Sequence, residues 1–387
     1  MRVLFIASDN NSTSGAFRSM VILNHILKEK YDVYTKVILP KNGDGEKLLQ
    51  QYDIDYEYAR SFSWIINCDK SKINILLQYI FKSSMALYNN TAIKKIENII
   101  SSENYDIVHI NTSFSYVGAL AALKTKTPFI WHIREFLEED RNLKMLNRSK
   151  SYDLMKKANK VIAISKSIYI KYSKLLGDGK TVCIPNGIDT KKYYYQHKIM
   201  QNNICEMLIV GSVSPEKGQL ELIKALSLLG ENYKDFHLNI IGKYDDVAYK
   251  KELENLISKS DFNEKIEFLG KRDDAIEFQK KADVIFVCSK AEAFGRVTVE
   301  AMLTGALVIG ADSAGTAEIL DNGKYGVIYK SGNAEDLKKK IEFVMDNKKS
   351  MINLAKVGQE YAFQSYTADL NADRIFETYQ NVVKERT

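Results

Sequence analysis

Short apolar runs alternate with amphipathic stretches along the chain, and most of the runs stop at a small or polar residue. In the first half these runs are Arg2 to Ala7, Val33 to Leu39, Ile107 to Ile110, Phe129 to Trp131 and Val161 to Ile164. Between them lie segments with apolar residues at helical spacing, such as FRSMVILNHILKE after the polar loop SDNNSTSGA. Buried parallel strands read as continuous apolar runs, and the helices that cover them read with a 3.6-residue period. The pattern predicts an α/β, doubly wound domain. It restarts at Met207 with MLIVG and continues through LNIIG, IEFLG, VIFVCS, ALVIG and AGTAEIL, which predicts a second such sheet. Two helical patterns follow Gly332, and the segment from Tyr366 to Arg386 is helical and rich in Tyr and Phe.

Cys183 to Asp189 reads CIPNGID, and Pro-Asn-Gly is a strong turn signal between the two halves. A chain of 387 residues also exceeds what one core usually accommodates, so two domains are expected. Hydrophobic residues make up 45% and charged residues 27%, as in a soluble globular protein, and no stretch reaches the roughly 18 apolar residues of a membrane span. The opening RVLFIA is strand-like and too short for a signal-peptide core, so the cytoplasm is the expected location. Cys68, Cys183, Cys205 and Cys288 lack metal-site spacing and read as buried thiols in a reducing compartment.

Charge divides unevenly. Residues 1 to 185 carry 27 Lys+Arg and 18 Asp+Glu, a net +9, and the remainder carries −3, giving +6 in all. A basic half suits an anionic membrane surface, a nucleic acid or an acidic substrate. No zinc-finger spacing or RNA-recognition signature accompanies it, so nucleic acid is not an expected partner. Lys70 to Ile96, KSKINILLQYIFKSSMALYNNTAIKKI, is a long apolar pattern flanked by lysines. Such a helix ordinarily covers a sheet face, which is the expectation here, and an anionic bilayer at the inner face of the cell membrane is the alternative.

Candidate chemistry follows from position. Ligands of open parallel sheets bind beyond the carboxyl ends of the strands, which selects Ser8, His109, Asn111, His132, Arg134, Glu135 and Ser165. Gly15, behind Ser14, marks a helix start where backbone can approach a phosphate, although a full G-x-G-x-x-G is missing. Arg134 and Glu135 lead into Glu138, Glu139 and Asp140, a dense charged cluster suited to an acceptor or to a solvated loop. The Asp-x-Asp at Asp53 and Asp55 stands in the alternating YDIDYEY, which favours a strand with outward carboxylates over a metal site; no metal is expected. In the second half, SKAEAFGRVTVEAML (residues 289–303) passes from a strand end into a helix. Its first free N–H groups, near Phe294, Gly295 and Arg296, form an anion site, with Glu292 in the loop and Glu300 in the helix as acceptors for polyol hydroxyls.

Glu292 and Glu300 are separated by seven residues, with Phe-Gly after the first. This arrangement resembles the donor-binding motif of the retaining glycosyltransferases of family 4, also called group 1. PNGID resembles the family's interdomain hinge, and Lys217, in EKG, matches the family lysine on the donor diphosphate. The resemblance implies the GT-B fold: two doubly wound, Rossmann-like domains facing across a cleft. Residues 1–185 would form the acceptor-side domain and residues 186–365 the nucleotide-sugar domain, with residues 366–387 crossing back to the first. It further implies that His132 reaches the donor sugar, that His109 lies near the acceptor, and that Lys217 and the helix start stabilise the departing phosphate. Glu292 would hold the sugar hydroxyls and Glu300 the ribose. Gly15, Ser212, Lys271, Phe294, Gly295, Arg296 and Thr316 complete the implied donor contacts, and Asn111, Arg134 and Glu135 stand with His109 on the acceptor side. Many members carry Arg where this chain has Ser212, and Arg296 is the candidate replacement.

The expected activity is retaining, metal-independent transfer of a sugar from a nucleoside diphosphate sugar, a UDP-sugar foremost. The acceptor would be a lipid-linked glycan, a polysaccharide or a protein, in cell-surface glycan synthesis. No cofactor beyond the donor is implied. A non-catalytic partner subunit of the same fold, or an epimerase or phosphorylase built on it, are the alternatives.

Overall fold

The structure, a computed structural model, describes residues 1–177, 179–196, 199–244 and 246–385, without the side chains of Asp140 and Arg141. Asp140 of the charged cluster and Arg386 of the last segment therefore fall outside what is described. The chain divides into two compact units, Met1–Gly187 with Ala368–Thr387, and Ile188–Thr367.

Unit 1 contains β1 (Arg2–Ile6), β2 (Tyr34–Leu39), β3 (Asp55–Tyr58), β4 (Ile65–Asn67), β5 (Ile107–Asn111), β6 (Phe129–Ile133), β7 (Leu143–Met145), β8 (Lys160–Ala163) and β9 (Thr181–Cys183). Seven of them form a parallel sheet in the order β3-β2-β1-β5-β6-β8-β9, while β4 and β7 make a separate antiparallel pair. β5 and β6 are buried along their whole length, as a central parallel strand covered on both faces must be. The order reverses between β1 and β5. These two strands run in register from Val3 beside Ile107 to Ile6 beside Ile110, so their carboxyl ends are level.

The helix Gly15–Tyr31 follows β1; Ser14 caps its start, accepting the Phe17 N–H, and Asp32 closes it in the left-handed conformation. Packed on it is the helix Ala368–Lys384, joined through the Tyr31–Phe376 ring stack (centroids 4.0 Å apart) and through Asp373, which accepts from Lys30 Nζ and Tyr31 Oη at 2.6 Å each. The last helix thus belongs to unit 1 and buries Ile375, Tyr379 and Val382 in its core.

The lysine-flanked segment forms one helix, Lys72–Glu103, and departs from expectation. Only its later part, from Asn89 through Ile93, Ile96 and Ile100, is buried. Ile73, Leu76, Leu77, Ile80 and Leu87 are each more than half exposed. The reason is length: 32 residues of helix span about 48 Å, whereas the five-residue strands beneath it span roughly 17 Å.

Unit 2 contains β10 (Cys205–Val210), β11 (Phe236–Ile241), β12 (Ile266–Gly270), β13 (Val284–Val287), β14 (Leu307–Ala311) and β15 (Val327–Tyr329), all parallel in the order β12-β11-β10-β13-β14-β15. Here the order reverses between β10 and β13. AGTAEIL forms a short helix, Ala314–Ile319, instead of a strand. None of the four cysteines is in a disulfide; Cys205 and Cys288 are buried, Cys68 and Cys183 only partly so. Burial pushes the thiols of Cys205 and Cys288 up to about 12, so both stay protonated.

Candidate functional site

Unit 2 gathers polar groups where its strand order reverses, which is where open sheets leave a crevice. After β10 the chain makes a tight turn through Pro215–Lys217 and then Gly218, at φ 73. A side chain at Gly218 would place its Cβ 2.2 Å from the carbonyl oxygen of Cys288, at the end of β13. The Lys290 N–H donates to the Glu216 carbonyl at 3.0 Å, so the turn is held to the β13 end on both sides of Lys217. This clamp lets Lys217 Nζ donate to Glu292 Oε1 at 2.6 Å, with both side chains partly open to solvent.

Glu292 is fixed from behind. Its carbonyl accepts the Gly315 N–H at 2.9 Å, and a Cβ on Gly315 would stand 2.3 Å from the Phe294 carbonyl oxygen. Ala314, next to it, is held at φ 30, a conformation costly for a residue with a Cβ and characteristic of functional turns. The helix Arg296–Leu303 starts at Gly295, at φ 91, with no side-chain cap and no acidic residue in its first turn. Its leading N–H groups and positive dipole end are available to an anion. Arg296 Nε donates to Glu300 Oε1 at 2.7 Å within that helix, so its guanidinium lies on a buried carboxylate instead of pointing away from the protein.

The strand ends of this unit also meet backbone to backbone. Gly242 approaches Gly211 so closely that a Cβ would lie 1.7 Å from the Gly211 oxygen, and the Gly242 N–H donates to Gly270 at 2.9 Å. Ser212 follows Gly211, and its carbonyl accepts from Gln219 Nε2. Lys271 is exposed beyond β12. Phe294 and Gly295 are buried, and so is Thr316, whose hydroxyl lies 3.4 Å from that of Thr298.

Unit 1 has its own cluster at the ends of β5 and β6. His109 and His132 are fully buried, with His109 Nε2 at 3.1 Å from His132 Nδ1. Tyr379 Oη is 2.6 Å from His109 Nδ1. Arg134 Nε donates to Asn111 Oδ1 at 2.6 Å, its Nη1 donates to Asn186 Oδ1, and its Nη2 is 3.3 Å from His132 Nδ1. Burial first, then the Arg134 charge, holds both imidazoles well below their usual range, so they are neutral. Glu135, also buried, accepts the Ser113 N–H at 2.5 Å, the Ser113 hydroxyl and the Arg134 N–H at 3.1 Å. It therefore ties the two strand ends together, while Glu138 and Glu139 face Lys171 and Arg148 nearer the surface. Between them Thr112 is held at φ 83, a rare setting for a β-branched residue. Gly15 is exposed at its helix start.

Asp9, Asn186 and Tyr379 are among the residues of these clusters not selected as candidates in the sequence. Asp9, in the loop after β1, has one oxygen on Ser14 Oγ and the other buried without a partner among the described residues. Burial raises its carboxyl above the ordinary range. Its place after a strand was a usable signal. Asn186 was read only as part of the Pro-Asn-Gly turn, and Tyr379 carried no local signal; nothing local links either to the residues it touches. Asp53 lies in a turn at φ 49 before β3 and pairs with Lys28 at 2.7 Å. Among the described residues no group of three His, Cys, Asp or Glu is placed to hold a metal ion.

The chain matches the family described as Glycosyl transferases group 1 over residues 201–361 and that described as Glycosyltransferase Family 4 over residues 71–192. It is 30% identical over 318 residues to an uncharacterized glycosyltransferase of Methanocaldococcus jannaschii, covering 80% of this chain and 85% of that protein. With a capsular polysaccharide biosynthesis glycosyltransferase of Staphylococcus aureus it shares 24% over 332 residues, covering 79% and 84% respectively. Its fold is similar to the crystal structure of Anabaena Alr3699/HepE in complex with UDP and glucose, with a TM-score of 0.78 at 24% identity over 98% of this chain and 100% of that one.

Proposed function

The chain belongs to the group 1, family 4 glycosyltransferases of GT-B fold, and on that premise we propose that it moves a hexose, with retention and without a metal ion, from a nucleoside diphosphate sugar to a lipid-linked or polysaccharide acceptor. The observation that carries this reading is Lys217 paired with Glu292 at the same strand end as an uncapped helix start. A diphosphate takes the place of the carboxylate on Lys217 and receives the N–H groups of the first turn. Glu292, released from the lysine, accepts hydrogen bonds from the sugar hydroxyls, and Glu300 from the ribose. As the bond between the anomeric carbon and the phosphate oxygen breaks, charge grows on that oxygen, where the lysine and the helix dipole stabilise it. The acceptor oxygen attacks from the face the phosphate leaves and passes its proton to the departing phosphate. One C–O bond forms as one breaks, and configuration is kept. Fixed cationic and backbone groups meet the phosphate charge that a metal would otherwise meet.

A UDP-sugar is the first donor to test, since the structurally similar Anabaena protein binds UDP and glucose. A thermal-shift and hydrolysis screen against UDP-, GDP-, ADP- and dTDP-sugars, in EDTA, tests the whole reading. One donor should stabilise the protein and hydrolyse slowly, and Glu300→Ala should abolish both effects. No response to any donor, or a response that needs added metal, refutes it.

The exposed stretch of the helix Lys72–Glu103 supports a lipid-linked acceptor at a membrane face. Ile73, Leu76, Leu77, Ile80 and Leu87 follow i, i+3, i+4, i+7 spacing on one side. Gln78, on the other side, accepts the Asn67 N–H at 2.9 Å and donates to its carbonyl at 3.1 Å, so the apolar stripe is turned outward. Lys70, Lys72 and Lys82 flank it, the composition of a helix lying on an anionic bilayer. Co-sedimentation with phosphatidylglycerol vesicles should be lost in a Leu76→Ser, Ile80→Ser double variant. Undiminished sedimentation of that variant would refute membrane contact through this helix.

A further inference from the structure

The hydrogen bonds between Tyr379, His109 and His132 run in a direction that their two ends settle. Arg134 Nη2 stands 3.3 Å from His132 Nδ1, and a guanidinium only donates. His132 Nδ1 is therefore an acceptor. A neutral imidazole has one N–H, so the proton of His132 sits on Nε2. His109 Nε2, 3.1 Å from the same Nδ1, must then donate to it, which leaves His109 Nδ1 as the acceptor of the Tyr379 hydroxyl at 2.6 Å. The opposite direction would set a His132 Nδ1–H against an arginine N–H. It would also leave the Tyr379 hydroxyl proton, in a fully buried residue, without an acceptor among the described residues. Phe5 stacks on the His109 ring with centroids 4.5 Å apart, which fixes the ring plane that both bonds need.

At the far end of this chain His132 Nε2 is buried and has no partner among the described residues. An unmet buried donor is costly, and this one is the terminus of a relay that starts on the last helix of unit 1. We infer that Tyr379 and His109 are positioning residues that hold His132 in its Nε2–H tautomer, so that it presents one neutral N–H to an oxygen of a bound sugar, a hydroxyl or the ring oxygen. The tautomer stands on the geometry of unit 1 alone; its meeting a sugar rests on the function proposed above. A neutral donor of this kind orients a glycosyl group and keeps its donor character across the range in which an ordinary histidine would change charge.

The test is nitrogen-15 NMR of the full chain labelled at histidine, which has only five such residues to assign. Between pH 6 and 8, the signals of His109 and His132 should both show a protonated Nε2 and an unprotonated Nδ1. An Nδ1–H form, or an imidazolium, at either ring overturns the inference. In Tyr379→Phe the His109 Nδ1 signal should move toward that of an unprotonated ring nitrogen with no hydrogen bond, because Nδ1 has lost its donor, while Arg134 still sets the direction of the bond between His109 and His132. Unchanged signals in that variant remove Tyr379 from the relay. If the variant fails to fold, the wild-type spectrum still decides the tautomers. A protein with the expected tautomers that transfers no sugar would sink the proposed function, and with it the sugar contact, and leave the tautomer assignment standing.

Discussion

Replacing Gly218 by alanine tests how much of the donor site rests on one close approach. Two costs arise there. At φ 73 an L-residue carries about 1–2 kcal/mol of backbone strain. Its Cβ would also meet the Cys288 carbonyl oxygen at 2.2 Å, roughly 1 Å inside an ordinary contact, and the obstacle is backbone that cannot rotate away. Overpacking of that kind costs about 1–3 kcal/mol. The sum is near 3 kcal/mol, which for a unit of this size lowers the unfolding midpoint by roughly 6–12 °C. Gly332 supplies the control, with φ 78 and nothing within 4 Å of its would-be Cβ. Gly332→Ala bears the strain alone, so its midpoint should fall by only about 3–6 °C. Calorimetry of the two variants beside wild type separates the steric cost from the conformational one. The steric part also acts on the site, because relief requires the turn to move off the β13 end, and Lys217 moves with it. A displacement near 1 Å costs on the order of a hundredfold in turnover, so Gly218→Ala should lose donor hydrolysis while Gly332→Ala keeps it. Equal midpoints in the two variants, or full activity in Gly218→Ala, would refute the argument that this glycine exists to bring Lys217 to Glu292.

Acid should weaken unit 1 early. The buried imidazoles of His109 and His132 titrate well below the usual value in the folded chain, so below about pH 6.5 the unfolded chain binds protons that the folded one does not. Stability is complete above that pH and falls as pH drops, by about 1.4 kcal/mol per pH unit for each histidine; an unfolding midpoint that stays flat from pH 6.5 to 5 would contradict this. Glu135→Gln keeps one acceptor oxygen and sets an amide NH2 in place of the other, so either the Ser113 donors at Oε1 or the Arg134 N–H at Oε2 lose their acceptor, which should cost about 1.5–3 kcal/mol by urea unfolding. An unaltered urea midpoint would remove Glu135 from the tie between β5 and β6.

The sheets were legible because central parallel strands are apolar throughout, and β1, β5, β6, β13 and β14 all appear within a residue or two of the runs that predict them. The three-residue strands β4, β7, β9 and β15 were not, since so short a run has no period to read. Candidate residues picked for lying beyond strand ends, such as His109, Asn111 and Arg134, could be found without knowing which strands are neighbours. Their partners could not. Tyr379 is 270 positions from the histidine it touches, and no local pattern spans that distance. The helix Lys72–Glu103 shows a different limit: periodicity reveals that one face is apolar, but whether protein or solvent meets that face depends on the length of the sheet below it.

Unit 1 takes its sheet from residues that precede unit 2 and is completed by the helix Ala368–Lys384, which leaves the ribosome only after all of unit 2. Until then its core lacks Ile375, Tyr379 and Val382, all fully buried in the finished protein, and the face of the helix Gly15–Tyr31 that they cover stays open to water. Unit 2 has every strand of its sheet by Tyr329. Synthesis therefore finishes the two halves in reverse order, the second before the first. A chain stopped short of Ala368 would carry an intact second half beside an uncovered, chaperone-dependent first one.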